Sequence, residues 1–258
     1  MRARATAGCD ACDRGRAPGH PLFLRSASIE WGAVPPDSLA RAIPAVTTLD
    51  TLRFEAPVTL FAGENGTGKS TLLEALAVAL GFDRHGGTRH YRIAQDRGGD
   101  DLSAAMRLTR GPLRPRTGYF FRAESFSDVA RAADGYGTVF SDTGRSLLDR
   151  SHGEGFLDFL QAFDGVGLFL MDEPEAALSA QRQLALLRHI VLAARAGSQF
   201  VIASHSPILL GCPGAQILGF DDGRIEPIDY EQTESHRVTR LFLEDRASLL
   251  RHLLEEFR

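Results

Sequence analysis

One stretch of the sequence combines an apolar run, a glycine-rich turn and a helical pattern in that order. Residues 58–62 (VTLFA) predict a buried strand, residues 63–70 (GENGTGKS) fit the pattern G-x-x-x-x-G-K-[ST], and residues 71–80 (TLLEALAVAL) predict a helix. Glycines let successive backbone N–H groups turn inward around a phosphate, and the helix directs the positive end of its dipole at the same anion. The flanking strand and helix favour a phosphate-binding loop over a chance match.

Two side chains of this loop carry specific chemistry. Lys69 would supply positive charge to the β- and γ-phosphates of a nucleotide, and the Ser70 hydroxyl would ligate Mg²⁺. Lys69 is the only lysine of the chain, and a compact ammonium suits this position better than the larger, forked guanidinium of arginine. The predicted phosphate-binding residues are Gly63, Glu64, Asn65, Gly66, Thr67, Gly68, Lys69, Ser70 and Thr71.

Composition limits the class of protein. A chain of 258 residues with 43% apolar residues suits one large α/β domain or two small ones, and we expect one. The formal net charge of −4 gives no global sign of affinity for nucleic acid or membrane, so any such surface must be a local patch. No run approaches the ~18 apolar residues of a membrane span, and the arginine-bearing start lacks the apolar core of a signal peptide. We therefore expect a cytoplasmic location.

The start of the chain differs in composition from the rest. Residues 1–21 are rich in Arg, Gly, Ala and Pro, and they predict a disordered tail ahead of a single domain over residues 22–258. Cys9 and Cys12 have the spacing of half a zinc site, but no second pair and no nearby histidine pair completes it. The tail is therefore favoured over a zinc site.

An arginine-rich insertion is expected within this domain, at about residues 83–118. Over residues 84–116 eight arginines stand against three aspartates: Arg84, Arg89, Arg92, Arg97, Arg107, Arg110, Arg114 and Arg116 against Asp96, Asp100 and Asp101. The excess of positive charge is typical of a patch that binds a polyanion. A solvated loop with an edge strand explains it equally well, so both interpretations stay open.

Further apolar runs alternate with helical patterns. Strands are predicted over residues 22–31, 51–54, 119–123, 167–171 and 199–203, with a hairpin of 217–220 and 224–228 around Asp221-Asp222-Gly223. Helices are predicted over residues 155–163, 235–244 and 247–257, the last two with Leu241, Leu249, Leu250, Leu253 and Leu254 as a docking face. Another helix, ended by Gly197, should bury Leu184, Leu187, Val191 and Ala194. The predicted fold class is α/β with a mostly parallel sheet, which binds ligands at the carboxyl ends of its strands.

Charged and polar side chains follow two of these strands. Asp172 ends the strand 167–171, where a carboxylate can hold Mg²⁺, and Glu173 beside it is placed to polarise an attacking water. The pair could instead only begin a helix, as cap and first-turn charge, but the upstream phosphate-binding loop disfavours this. His205 follows the strand 199–203 and is interpreted as a sensor of the γ-phosphate rather than a structural histidine.

Together the motifs resemble those of the ABC-type ATPases, in particular the stand-alone and SMC-like branch often described as AAA family ATPases. GENGTGKS matches the family's GxNGxGKS form of Walker A, LFLMDEPEAALS its Walker B, catalytic glutamate and D-loop run, and ASHSP its switch-histidine segment. The resemblance covers about residues 50–210. It implies a P-loop NTPase fold of ABC-type topology, with a smaller antiparallel part beside the parallel sheet.

The resemblance implies further site residues. SHGEG at residues 151–155 looks like the S-x-G-E variant of the family signature, so Ser151, Gly153 and Glu154 would bind the γ-phosphate held by the other protomer. Glu124 stands where the family usually has glutamine and would contact water or Mg²⁺. The implied catalytic residues are Lys69, Glu173 and His205, and the implied metal ligands are Ser70, Asp172 and Glu124. Trp31 and Phe54 are candidates for stacking on adenine.

The implied activity is Mg²⁺-dependent binding and hydrolysis of ATP at a homodimer that sandwiches two nucleotides. A link to DNA repair or defence is one hypothesis for its purpose, motivated by the SMC-like motif forms and the arginine-rich insertion. The alternative is the energy subunit of an ABC membrane transporter, although residues 125–150 are short for the helical subdomain that docks such subunits on a membrane partner. A P-loop kinase fits Asp172, Glu173 and His205 poorly.

Overall fold

The computed structural model of the protein describes residues 21–88, 102–124 and 165–255. Its central sheet has seven strands in the order β10-β9-β3-β8-β7-β6-β4. These are β3 (Val58–Ala62), β4 (Gly87–Thr88), β6 (Thr117–Arg122), β7 (Gly167–Asp172), β8 (Gln199–Ala203), β9 (Gln216–Gly219) and β10 (Glu226–Pro227). Strands β9, β3, β8, β7 and β6 run parallel, and the edge strands β4 and β10 are antiparallel to their neighbours. The mostly parallel sheet places the carboxyl ends of five strands at one edge.

A small antiparallel sheet accompanies the central one. It has the order β2-β1-β5 and consists of β1 (Leu24–Ile29), β2 (Thr51–Arg53) and β5 (Met106–Arg110). Strand β5 belongs to the stretch that the sequence suggested as an insertion, and it is an edge strand of this sheet. Residues 106–110 of that stretch are therefore joined to β1 by an antiparallel ladder with a register shift between Leu24 and Ser26, while β4 lies at the edge of the central sheet.

Six helices are formed by the described residues: α1 (Pro44–Thr47), α2 (Lys69–Ala79), α3 (Ala180–Arg195), α4 (Pro207–Leu210), α5 (Glu234–Glu244) and α6 (Arg246–Glu255). Helix α3 begins where the Ser179 side chain accepts a hydrogen bond from Arg182 N, and it ends before Gly197, whose φ of +107° is left-handed. No helix in the described ranges is both long and apolar enough to span a bilayer.

Alternation along the central strands divides the core into two layers. On one face Phe61, Phe120, Leu170 and Val201 pack with α2 and with the small sheet. On the other face Leu60, Phe121, Met171 and Ile202 pack with α3 through Leu186 and Ile190. Because successive side chains of a strand point to opposite faces, fully apolar strands such as β3 and β7 fill both layers. The parallel strands are thereby held rigidly beneath the loops at their carboxyl ends.

The α/β fold class predicted from the sequence is confirmed, while two predicted helix faces are wrong. Leu184 is 56% exposed, because the buried stripe of α3 is set by Leu186 and Ile190, with Leu187, Val191 and Ala194 partly packed beside them. The predicted docking face of α5 and α6 is also exposed, at 53% for Leu241, 47% for Leu253 and 67% for Leu254. The predicted helix 155–163 and the tail up to residue 20 lie outside the described residues.

Candidate nucleotide site

The glycine-rich loop lies between the end of β3 and the start of α2, and three of its glycines have left-handed backbone. Their φ angles are +143° at Gly63, +82° at Gly66 and +100° at Gly68. Side chains are strained in this region, and at Gly68 a Cβ would also stand 2.5 Å from Cγ2 of Ile43. The loop therefore curls tightly around a hollow at the amino end of α2, which is the arrangement that favours an anion.

Lys69 is held inside this loop. It is only 4% exposed, and its Nζ donates to the carbonyl oxygens of Gly63 at 2.8 Å and Glu64 at 2.6 Å. Burial lowers the pKa of Lys69 from its ordinary value, while the nearby carboxylates of Glu173, Asp221 and Asp172 act in the opposite direction. The hydrogen bonds of the ammonium thus go to backbone oxygens rather than to a carboxylate, so its charge is available to an anion in the loop.

Ser70 and Asp172 meet across the site. The Ser70 hydroxyl donates to Oδ1 of Asp172 at 2.8 Å, joining the first turn of α2 to the last residue of β7. Burial raises the pKa of Asp172, against the lowering effects of the Ser70 hydrogen bond and the Arg122 guanidinium. A hydroxyl and a carboxylate are hard oxygen ligands of the kind that Mg²⁺ prefers. These two predicted metal ligands are therefore brought together.

Arg122 is a site residue that the sequence reasoning missed. It ends β6 directly beside Asp172, with Nε 3.7 Å from Oδ2 of Asp172. Its Nη1 donates to Glu74 on α2, which also accepts from Arg84 Nη2 at 2.7 Å. Glu124, the third predicted metal ligand, has a side chain that is 89% exposed, and among the described residues its carboxylate pairs with Arg122 at 3.9 Å. The Arg122 guanidinium thus lies next to Asp172, while the charge of Glu124 acts on Asp172 from farther away.

Glu173 and His205 form a second pair. Glu173 has left-handed backbone, with φ of 48° and ψ of 51°, and its N–H donates to Ala203 O at 3.0 Å. This conformation is strained for a residue with a side chain and is found most often at functional sites. Oε1 of Glu173 lies 3.6 Å from Nε2 of His205, which is buried and has no hydrogen-bond partner among the described residues. The two strand ends therefore present a carboxylate and an imidazole next to each other.

A cleft of about 1020 Å³ opens beside the loop. Residues 64–67 line one side of it and residues 219–224 the other, with Pro44 and Ala45 from α1. Trp31 and Phe54 are not among the described residues that line it, since Phe54 is 4% exposed in the core and Arg41 covers the Trp31 ring at 5.5 Å. The signature residues Ser151, Gly153 and Glu154 lie outside the described residues.

The fold and this site define the class of protein: an α/β P-loop protein with a nucleotide-type phosphate site at the carboxyl ends of parallel strands. Residues 48–101 match the model of a family described as an AAA domain. Among curated proteins, none matches the chain significantly in sequence.

Two solved structures resemble the chain over most of its length. The SMC head domain from Thermotoga maritima is 14% identical, and the match covers 81% of this chain and 100% of that one with a TM-score of 0.45. The protein cbiO1 from Clostridium perfringens, part of the ABC transporter complex cbiONQ, is 14% identical and matches over 90% and 99% of the two chains with a TM-score of 0.47.

The resemblance to P-loop ATPases, predicted from the sequence motifs, is confirmed by the AAA-domain match over residues 48–101. That match covers the loop, β3 and α2, and the contacts of Asp172 and His205 add the ends of β7 and β8 to the same edge of the sheet.

Proposed function

We propose that the protein binds ATP together with Mg²⁺ and hydrolyses the phosphoanhydride bond between the β- and γ-phosphates. The observation that carries this proposal is the 2.8 Å contact between Ser70 and Asp172 at the foot of a loop that buries Lys69. A triphosphate with a divalent cation requires backbone N–H groups and an ammonium for its phosphates and oxygen ligands for its metal. The loop, Lys69, and the Ser70 and Asp172 oxygens provide these groups at one edge of the sheet.

Binding is assigned to the loop. Residues Gly63 to Thr71 would surround the phosphates with backbone N–H groups, because three left-handed glycines curl the chain there. Lys69 would turn its ammonium from the carbonyl oxygens of Gly63 and Glu64 to the β- and γ-phosphates. Ser70 and Asp172 would hold Mg²⁺, which when bound neutralises charge on the phosphate oxygens.

Hydrolysis is assigned to the second pair. Glu173 would orient the attacking water and accept its proton, and its partly exposed side chain leaves it open to solvent from that direction. His205 would contact the γ-phosphate, and its proximity to Glu173 supports a joint role at the reacting phosphorus. Glu124 would act on the site from outside, through its ion pair with Arg122, rather than as a direct ligand of Mg²⁺.

The proposal extends to a homodimer that forms around ATP. Ser151, Gly153 and Glu154 would reach the γ-phosphate held by the partner subunit, as the sequence resemblance implies. Hydrolysis would then separate the two subunits, and that motion would be the output. A single domain over residues 22–258 and a cytoplasmic location belong to the same proposal.

Two substitutions test the activity. Lys69→Ala should abolish ATP binding or turnover, because no other lysine can replace the ammonium. Glu173→Gln should bind ATP, lower kcat by about 10²-fold or more, and accumulate a dimer only when ATP is present. Phosphate release and light scattering during gel filtration measure the two effects, with Glu244→Gln on the exposed side of α5 as the matched control. Wild-type turnover by Glu173→Gln would contradict the assigned mechanism.

An exposed basic surface supports a link to nucleic acid. Arg53, Arg25 and Arg110 are exposed on β2, β1 and β5, the three adjacent strands of the small sheet, and Arg114 and Arg116 are exposed in the following loop. Arg107 is instead paired with Glu30. Within the part of the chain that the structure describes, these five arginines have no carboxylate partner, so their charges would suit the phosphates of a duplex.

The transporter alternative makes a different prediction. An energy subunit should copurify with an integral membrane protein when expressed in its native host, and its ATPase rate should not respond to DNA. Stimulation of the ATPase by DNA, without a membrane partner, favours the link to nucleic acid.

A further inference from the structure

Glu175 lies two residues after Glu173, in the 3₁₀ turn Pro174–Ala177, and makes an unusual set of hydrogen bonds. Its Oε1 accepts from Ser204 Oγ at 2.9 Å, from His205 N at 2.6 Å and from Ser206 N at 3.1 Å. One carboxylate oxygen thus receives three donors from the turn that follows β8. Hydrogen bonds from backbone N–H groups to a carboxylate are charge-assisted and roughly twice as strong as neutral ones.

The orientation of Glu175 is fixed by this turn and not by solvation of its carboxylate. Its Oε2 is shielded from solvent and receives no hydrogen bond within the part of the chain that the structure describes. Leaving a shielded carboxylate oxygen unpaired is unfavourable. The three bonds at Oε1 must therefore offset that penalty, which makes them the reason the side chain lies where it does.

The turn that Glu175 holds carries His205. Ser206 is fixed from the other side as well, because its hydroxyl donates to Gln183 Oε1 at 2.6 Å and its own Oγ accepts from Leu209 N at 3.2 Å. With its N–H anchored by Glu175, His205 directs Nε2 to within 3.6 Å of Glu173 Oε1. Glu173, which faces the His205 side chain, and Glu175, which holds the His205 backbone, therefore belong to one short segment, Glu173-Pro174-Glu175.

We infer that Glu175 is a positioning residue that holds His205 in place for reaction at the γ-phosphate. The inference rests on the proposed ATPase function. Among the described residues Glu175 makes no hydrogen bond to the loop or to Ser70, and its charge acts on Lys69 only at a distance. Its direct contact with the reacting groups therefore passes through the turn that carries His205. Without the Glu175 carboxylate, three donors of the turn after β8 would lose their shared acceptor. The His205 imidazole would then no longer be fixed relative to Glu173.

Steady-state kinetics of full-length Glu175→Ala test this inference. We expect kcat to fall about 10- to 100-fold, because displacement of a reacting group by about 1 Å can lower the rate 10²-fold. KM for ATP should change less than about threefold, since Glu175 makes no hydrogen bond to Lys69 or the loop and its charge is the weakest of the influences on Lys69. Glu175→Gln, whose amide oxygen can still accept the backbone N–H groups, should recover part of the loss. Glu244→Gln serves as the control for removal of one carboxylate.

A double-substitution comparison separates positioning from a general loss of structure. In a His205→Ala background, Glu175→Ala should cause no further fall in kcat, because the group that it positions is already absent. Equal fold losses with and without His205, or full kcat in Glu175→Ala, would overturn the inference. If Glu175→Ala does not fold, Glu175→Gln in both backgrounds gives the same comparison. A wild-type protein that does not hydrolyse ATP would instead contradict the proposed function.

Discussion

Asp172 combines a binding role with an energetic penalty. Asp172 is 7% exposed, and burial raises the pKa of its carboxyl group even though Ser70 and Arg122 act to lower that pKa. A carboxyl group whose folded-state pKa is raised favours the folded state below its ordinary pKa, and this contribution is lost as the pH rises through the raised value. At neutral pH the metal-free protein should therefore be destabilised by the same carboxylate that would hold Mg²⁺.

Asp172→Asn should accordingly stabilise the metal-free protein at neutral pH. We expect Tm to rise by about 2–4 °C, the shift that ~1 kcal/mol produces in a domain of this size. The gain should shrink as the pH is lowered toward 3.8, the ordinary value for Asp, because wild-type Asp172 then becomes neutral as well. Thermal melts between pH 4 and 8 without Mg²⁺ measure this, and Asp50→Asn at an exposed position is the control. A lower Tm for Asp172→Asn at neutral pH would contradict the argument.

At this scale the sequence predicted the meeting of Ser70 and Asp172 but not the neighbours that orient the site. Parallel strands bring their carboxyl ends to one edge, so residues that follow such strands are expected to converge. Glu175 and Arg122 act through hydrogen bonds between side chains distant in sequence, and these leave no periodic signal. The position of Arg122 at the end of β6, beside the strand of Asp172, was the one available hint.

Two glutamines hold the sheets together by the same kind of amide clamp. Gln199 on β8 is buried, and its amide accepts from Leu24 N at 2.9 Å and donates to Leu24 O at 2.8 Å, which ties the small sheet to the central one. Gln216 on β9 accepts from Glu55 N at 3.0 Å and donates to Arg53 O at 3.0 Å, and both of these bonds are exposed. Its Oε1 also accepts from Thr59 Oγ1 at 3.2 Å in a part-buried bond. The two glutamines therefore allow a buried and an exposed clamp on backbone groups to be compared.

Gln199→Leu should destabilise the protein by about 2–5 kcal/mol, because it leaves the N–H and C=O of Leu24 buried without partners. Gln216→Leu should destabilise the protein less, by about 1 kcal/mol, since water can replace its two exposed backbone bonds and only the bond from Thr59 Oγ1 is part-buried. Urea unfolding of both variants measures the difference. Equal effects would show that the buried clamp does not carry the attachment of the small sheet.

Element positions followed from the sequence more closely than element faces did. Strands β3 and β8 have the predicted bounds, because apolar runs between turn residues mark buried strands. The face of α3 was misjudged by including Leu184, since several apolar stripes at helical spacing were available and only packing against β7 and β8 selects among them. The prediction of a docking face on α5 and α6 was wrong for the same reason, because periodicity indicates an apolar stripe but not whether another element covers it.

For the whole molecule, the charge distribution matters more than the net charge of −4. The small sheet lies against one face of the central sheet, and α3 lies against the other. Arg25, Arg53 and Arg110 are exposed on the three strands of the small sheet, whereas Arg188 is exposed on α3. A polyanion bound to the small sheet would thus find one exposed arginine on each of three neighbouring strands.

Replacing Arg25, Arg53 and Arg110 together by alanine should weaken binding to duplex DNA at low salt. Each arginine that neutralises a phosphate contributes about one unit to the slope of log K against log salt, so the triple variant should lower the slope by about three. Fluorescence anisotropy with one duplex at several salt concentrations measures this, and Arg188→Ala is the control on the opposite face. Wild-type protein that does not bind DNA at low salt, or a triple variant with an unchanged slope, would contradict the assignment of this surface. Because neither the loop nor Asp172 is altered, ATP turnover without DNA should stay at the wild-type rate, which distinguishes loss of a DNA surface from loss of the fold.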